Sequence, residues 1–93
     1  MNTEELTNKL ETEFQPFFNE MVNELIRHYP ENGDSWKTCD IDWLAYLARS
    51  SMRKFIDDVE GKNPSHVVDV ANFCAFYYIR YYDSLNGSVK NES

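Results

Sequence analysis

The stretch VVDVANFCAFYYIRYY, residues 67–82, decides the fold of this chain. It predicts one helix with apolar residues on nearly every side, in which Asp69 and Asn72 are the polar groups that most need an explanation. A helix that is apolar all round is buried on several faces. Because buried polar side chains cost free energy unless they are paired, the surroundings of Asp69 decide whether the protein has a catalytic site.

The chain is short for a helix with so much apolar surface. Its 93 residues, 42% of them apolar, support one folded domain, but a domain of this size buries a small fraction of its surface. We therefore expect an all-α bundle of three main helices over residues 1–87, completed by dimerisation or higher oligomerisation. Residues 88–93 are polar, and we expect a disordered tail there.

The first helix is indicated by apolar residues at steps of three and four. We expect it to begin with Thr3 as its N-cap, to kink or break at Pro16, and to end between Tyr29 and Gly33. Its apolar stripe consists of Leu6, Leu10, Phe14, Phe17, Phe18, Met21, Val22, Leu25 and Ile26.

Capping residues delimit the other two helices. Asp40 is the expected N-cap of the second, and Asn63 of the third, with Pro64 at the first helical position. The third helix is expected to run to about Leu85 and to stop at Asn86-Gly87. The apolar stripe of the second helix consists of Trp43, Leu44, Leu47, Ala48, Met52, Phe55, Ile56 and Val59.

Charge and cysteine content exclude several functional classes. The net charge of −7 argues against a nonspecific binder of nucleic acid or membrane, since both are polyanionic. Two cysteines are too few for a disulfide framework or a zinc site, so we expect a buried thiol at Cys74 and a loop thiol at Cys39. No apolar run reaches the ~18–20 residues that cross a bilayer, and we expect a soluble, cytoplasmic protein.

Three segments together suggest a family. The segment GDSW (33–36), then Leu44 and Leu47 on the next helix, then DVANF (69–73) opening an apolar helix, resemble the MazG-like branch of the all-α nucleoside triphosphate pyrophosphohydrolases. The resemblance covers roughly residues 28–82. It implies an all-α fold and, in the active members, magnesium ions that bind the triphosphate and activate water for pyrophosphate release.

The acidic motifs that hold magnesium in that family are degenerate in this chain. The resemblance places Glu-Glu-x-x-Glu on residues 50–54, where serine and lysine replace the acids, and Glu-x-x-Asp on residues 66–69, where histidine replaces the glutamate. A lysine ammonium repels the cation that it would have to coordinate. The expected remnant site comprises Ser50, Ser51, Lys54, His66, Asp69 and Asn72.

We therefore interpret the chain as a MazG-like pseudoenzyme without a cofactor, which acts by binding a nucleotide or a protein in a regulatory or inhibitory role. Trp36, on the loop between the first two helices, is the expected ligand contact. Lys54 is expected to pair with Asp69 in place of a metal ion. The i, i+3 spacing of His66 and Asp69 allows a hydrogen bond between them or a two-ligand fragment of a transition-metal site, but we expect a structural role for His66. His28 is expected at a helix end, where its cationic form would suit the dipole.

Two other interpretations stay open. In the first, the chain is an active magnesium-dependent pyrophosphohydrolase whose ligands are shifted to Asp57, Asp58, Glu60 and Asp69. In the second, it is a small acidic viral or mobile-element inhibitor that occupies a nucleic-acid-binding protein with carboxylates in place of phosphates. The residues for that surface are Glu4, Glu11, Glu13, Glu20 and Glu24.

The aromatic residues of the third helix allow two readings of their own. They could form a platform for base stacking, but their helical spacing favours the core and a dimer interface. These residues are Phe73, Phe76, Tyr77, Tyr78, Tyr81 and Tyr82.

Overall fold

A computed structural model describes residues 1–58 and 63–91, with side chains up to residue 86. It contains α1 (Thr3–Asn32), a short 3₁₀ turn (Ser35–Lys37), α2 (Ile41–Asp57) and α3 (Pro64–Asn91). No strand occurs in these ranges, so the all-α prediction with three main helices is confirmed. No helix within them combines the length and the apolarity needed to cross a bilayer.

The start of α1 differs by one residue from the prediction. Asn2, and not Thr3, is the N-cap, because its side-chain Oδ1 accepts the backbone N–H of Glu5 at 2.8 Å. Glu4 and Glu5 occupy the first turn, where their charge complements the helix dipole.

Pro16 does not break α1, which is one helix from Thr3 to Asn32. Proline removes one N–H and crowds the preceding turn, at a cost of about 3 kcal/mol in a helix interior. Residues 1–20 are exposed throughout, so water can reach the Thr12 carbonyl that would have accepted the missing N–H. A break at this proline is therefore not observed.

The predicted caps of α2 and α3 are confirmed. Asp40 Oδ1 accepts the N–H of Asp42 at 3.0 Å, and Asn63 Oδ1 accepts the N–H of Ser65 at 2.9 Å, with Pro64 as the first helical residue. The expected stop at Asn86-Gly87 is not observed, since α3 extends to Asn91. Glycine and asparagine lower helix propensity by at most about 1 kcal/mol each, which weakens a helix without ending it.

The helices pack unevenly. α2 and α3 form the main contact, whereas α1 packs less extensively on α3, and the residues of α1 that are not exposed, Met21 and Glu24, lie in its C-terminal half. The buried apolar residues of the described chain are Leu44 and Val68, at 2% and 8% exposure. Cys74 is exposed, which corrects its predicted burial, because the face of α3 that it shares with the exposed Tyr78 and Tyr81 is not covered by another helix among the described residues.

Two side chains of α3 fasten the other elements to it. Asn72 Nδ2 donates to the backbone carbonyl of Met21 on α1 at 3.2 Å. Arg80 Nη1 donates to the carbonyls of Trp36 and Cys39, at 2.9 and 2.7 Å, in the connection between α1 and α2. These long-range hydrogen bonds fix the positions of α1 and of the connection relative to α3.

Gly33 terminates α1 in a conformation that favours glycine. Its φ is +51° with ψ −132°, and its N–H donates to the Tyr29 carbonyl at 2.8 Å. We expect Gly33→Ala to lower the free energy of unfolding by about 1–3 kcal/mol through backbone strain. The added Cβ would approach its nearest neighbour at an ordinary 3.9 Å, so no steric clash contributes. Urea denaturation measures the difference, and an unchanged midpoint would contradict the positive φ.

Candidate functional site

Asp69 lies half-buried on the first half of α3, among charged groups from all three helices. Burial raises the pKa of its carboxyl above the usual 3.8, and the nearby Glu24 carboxylate raises it further. The positive charges of His28, His66 and Lys54 act in the opposite direction. The structure therefore brings the predicted residues Lys54, His66 and Asp69 into one electrostatic neighbourhood.

The direct bonds expected within that neighbourhood are not formed. No ion pair joins Lys54 to Asp69, and no hydrogen bond joins His66 to Asp69, among the contacts of the described residues. Lys54 is exposed, so its ammonium acts on the carboxylate over a distance and through solvent. The structure therefore corrects the interpretation of Lys54 as a salt-bridge substitute for the metal.

Glu24 is the residue of this cluster that the sequence interpretation placed wrongly. It is 9% exposed and faces the junction with α3, so it does not belong to the solvated acidic face. Its carboxylate accepts hydrogen bonds from Arg27 and, at 2.7 Å, from His28 Nε2. His28 thus binds Glu24 one turn away, which replaces the expected role at a helix end.

The bonds to Arg27 hold the pKa of Glu24 below its usual 4.5 and outweigh the effect of burial, with His28 contributing in the same direction. A signal for this residue exists in the sequence. Leu10, Phe17 and Glu24 are spaced by seven, so they lie on one face of α1, and a carboxylate on an apolar stripe predicts a buried, paired acid.

Asn72, the other residue that matches the family pattern, has a structural contact here. It is 4% exposed and uses its Nδ2 on the Met21 carbonyl, while its Oδ1 is buried without a hydrogen-bond partner. Ser51 is also buried, at 8% exposure, and Ser50 is half-buried on α2. An unpaired buried acceptor costs about 1–3 kcal/mol.

The donor set of this cluster does not fit magnesium. Glu24 is already bound by Arg27 and His28, Asp69 has a raised pKa, and Lys54 carries positive charge. Within residues 1–58 and 63–91, no group of three or more His, Cys, Asp or Glu residues is placed to hold a metal ion.

The shifted ligand set finds no support among the described residues either. Asp57 is exposed, and Asp58 uses its Oδ2 to accept the N–H of Asn63 at 3.1 Å. Glu60 lies outside the described residues. Asp57, Asp58 and Asp69 do not form a three-carboxylate group.

A separate aromatic cleft of about 610 Å³ opens where α1 ends, beside the connection to α2 and the middle of α3. Trp36 lies in its wall and stacks on Phe76, with ring centroids 4.4 Å apart and planes 9° apart. Lys37 Nζ lies 5.6 Å from the centre of the Trp36 ring. The cleft is lined by Leu25, Tyr29, Asn32, Gly33, Asp34, Ser35, Trp36, Cys39, Trp43, Leu44, Leu47, Phe73 and Phe76.

The cleft and the polar cluster are two different places. Trp36, the expected ligand contact, lines the cleft, whereas Lys54 and Asp69 do not. The predicted aromatic residues of α3 also divide, because Phe73 and Phe76 line the cleft while the tyrosines do not. Tyr77 stacks on Tyr81 and Tyr78 on Tyr82, along the C-terminal half of α3.

Arg80 is a positioning residue that the sequence interpretation missed. Its guanidinium bonds to the carbonyls of Trp36 and Cys39, two residues that line the cleft, and so fixes the wall of the cleft against α3. The signal was present, because Arg80 is the single cation in the apolar stretch 67–82. The hydrogen-bond partners of Arg80 could not be predicted, because every residue has a backbone carbonyl and the residue type does not indicate which one is used.

Searches with family models, against curated proteins and against solved structures gave no match for this chain. The MazG-like resemblance therefore rests on the residues quoted for it.

We expect Glu24→Gln to lower the free energy of unfolding at neutral pH by about 1 kcal/mol, because it weakens two charge-assisted bonds whose donors are more than half exposed. Glu24 has a lowered pKa in the folded state, so its stabilisation is fully present above 4.5 and is lost as the pH falls through the folded value. Urea denaturation at several pH values measures both effects.

Asp69→Asn is the matched control, with the opposite sign. Its folded pKa is raised, so the ionised carboxylate disfavours folding above that pKa, and the amide should increase stability at neutral pH but not at low pH. Equal responses of the two variants would contradict the assigned environments.

Proposed function

We propose that the protein is a non-catalytic, MazG-like helical protein that binds a planar ring compound, such as the base of a nucleotide, in the aromatic cleft, and regulates or inhibits through that binding. The observation that carries this proposal is the stacked Trp36–Phe76 pair in the wall of the cleft. A volume of about 610 Å³ is within the range of small-molecule sites.

The chemistry of the lining favours a ring over a phosphate chain. Trp43 adds a second indole that is 51% exposed, and Asn32 and Ser35 offer polar groups that could orient a base. Asp34 is the charged residue of the lining, which contains neither lysine nor arginine. If the ligand is a nucleotide, one or two of its phosphates could extend into solvent and interact with Lys37 outside the cleft. A triphosphate buried in the cleft would have no positively charged side chain to pair with.

Self-association is the second part of the proposal. Large hydrophobic side chains are exposed along all three helices, including Phe14 at 66%, Ile56 at 58% and Tyr78 at 68%. Exposed apolar side chains in such number indicate interaction sites in folded proteins. A homo-oligomer would cover it and complete the bundle.

Binding can be followed with the protein's own fluorescence, since both tryptophans of the chain line the cleft. We expect nucleosides and nucleoside monophosphates to change the emission in a saturable way. Trp43→Ala should weaken binding about fivefold or more, measured by calorimetry, because a stacking contact is worth about 1–3 kcal/mol.

Tyr78→Ala is the control variant, because this residue is exposed and does not line the cleft. Loss of affinity in Tyr78→Ala to the same extent as in Trp43→Ala would contradict the cleft as the site. A spectrum that stays unchanged across bases, nucleosides and nucleotides would contradict ligand binding altogether.

The active-enzyme alternative makes a separate prediction. We expect no magnesium-dependent release of pyrophosphate from any common nucleoside triphosphate, because the described carboxylates do not converge on a metal ion. A coupled pyrophosphate assay with and without magnesium measures this. Activity that disappears in Asp69→Asn would overturn the proposal and establish the enzyme.

A further inference from the structure

Residues 3–20 form a helical arm that is exposed along its whole length. At 1.5 Å per residue, residues 3–20 extend for about 27 Å. One side of this arm carries a stripe of apolar residues. The same face of α1 packs on α3 further along the helix. The exposed members are Leu6, Leu10, Phe14, Phe17 and Phe18, at 38% to 66% exposure.

The accessible surface of the chain is larger than a compact monomer requires. It measures 7351 Å², whereas a folded monomer of 11.0 kDa exposes about 5600 Å². The radius of gyration is 16.0 Å, against about 12 Å for a compact domain of this length. The excess of about 1700 Å² per chain is about twice the ~800 Å² that each partner buries in a standard interface.

A groove on α2 has the apolar centre and the charge that complement the arm. It is lined by Met52 and Ile56, with Arg49 and Arg53 along one edge and Asp57 at its end. Neither arginine takes part in an ion pair with any residue that the structure describes. Exposed, unpaired arginines beside an apolar groove favour an acidic, apolar helix as its occupant.

The arm presents such a face at the same spacing. Leu10, Phe14 and Phe18 follow one another at intervals of four, with Glu11 and Gln15 along the edge. Glu11 is also without an ion pair in the described part of the chain. Glu11 and Gln15 are four residues apart on α1, and Arg49 and Arg53 are four residues apart on α2. The two pairs therefore have the same spacing along their helices.

We propose that the arm of one chain docks on the α2 groove of a second copy and the reverse, in a two-fold dimer, with the Glu11 edge facing Arg49 and Arg53. In such an isologous dimer the arm–groove contact occurs twice, and each chain has both its arm and its groove covered once. This inference rests on the self-association proposed above and specifies the two surfaces that meet.

The test uses charge reversal on either side of the contact. Wild-type protein should have twice the chain mass of 11.0 kDa in light scattering after size exclusion. Arg49→Glu with Arg53→Glu places acids opposite Glu11, and Glu11→Lys with Gln15→Lys places bases opposite the arginines. Each double variant alone should dissociate with a Kd at least about tenfold higher, because like charges face each other across the contact.

An equimolar mixture of the two double variants should restore a dimer, since each chain then meets the opposite charge at both contacts. Circular dichroism of each double variant establishes that its helices are intact. Lys37→Glu and Glu31→Lys change charge outside the two faces and should leave the mass unchanged.

The possible results separate the two proposals. A wild-type chain that stays monomeric up to about millimolar concentration overturns self-association and this contact together. A wild-type dimer that persists in both double variants overturns the contact alone. Dissociation of the variants without recovery in the mixture also overturns it, because the charges then act elsewhere than on each other.

Discussion

The contact between α1 and α3 is smaller than that between α2 and α3, and the arrangement of the helices depends on the polar groups within it. It contains the hydrogen bond from Asn72 to the Met21 carbonyl and the buried carboxylate of Glu24, held by two donors on its own helix. Such hydrogen bonds fix the orientation of α1 relative to α3, because they form only within a narrow range of distances and angles. Each contributes only about 1 kcal/mol to the free energy of unfolding. α1 can therefore be oriented by α3 and still leave its first twenty residues exposed.

Much of the fold could be predicted from local sequence because its causes are local. The periodicity of apolar residues predicts the helices. Asp40 and Asn63 cap two of them by accepting the backbone N–H two positions further on, and Pro64 is the first residue of α3. The errors arose where a local preference was treated as decisive. Pro16 lies inside a continuous helix and Gly87 inside another, since each lowers helix stability by a finite amount that the rest of the helix offsets.

The candidate site was less predictable because its partners come from different helices. The sequence identified Trp36, Asp69 and Asn72 through a resemblance, but it could not reveal that the cleft lies apart from the acid. Glu24 was assigned to the surface although its seven-residue spacing from Phe17 pointed inward. Most polar partners here are backbone carbonyls or residues of the same helix, and neither kind follows from a motif that matches side chains alone.

Arg80 ties the cleft to α3, so the shape of the cleft depends on the orientation of that helix. Its guanidinium holds both Trp36 and Cys39 by their carbonyls, so a rotation of α3 about its axis must carry that wall of the cleft with it. The outer face of the same helix bears the exposed tyrosines. A partner that binds this outer face and changes the orientation of α3 would therefore change the volume of the cleft. By thermodynamic linkage, a ligand bound in the cleft would then change the binding free energy of that partner by the same amount.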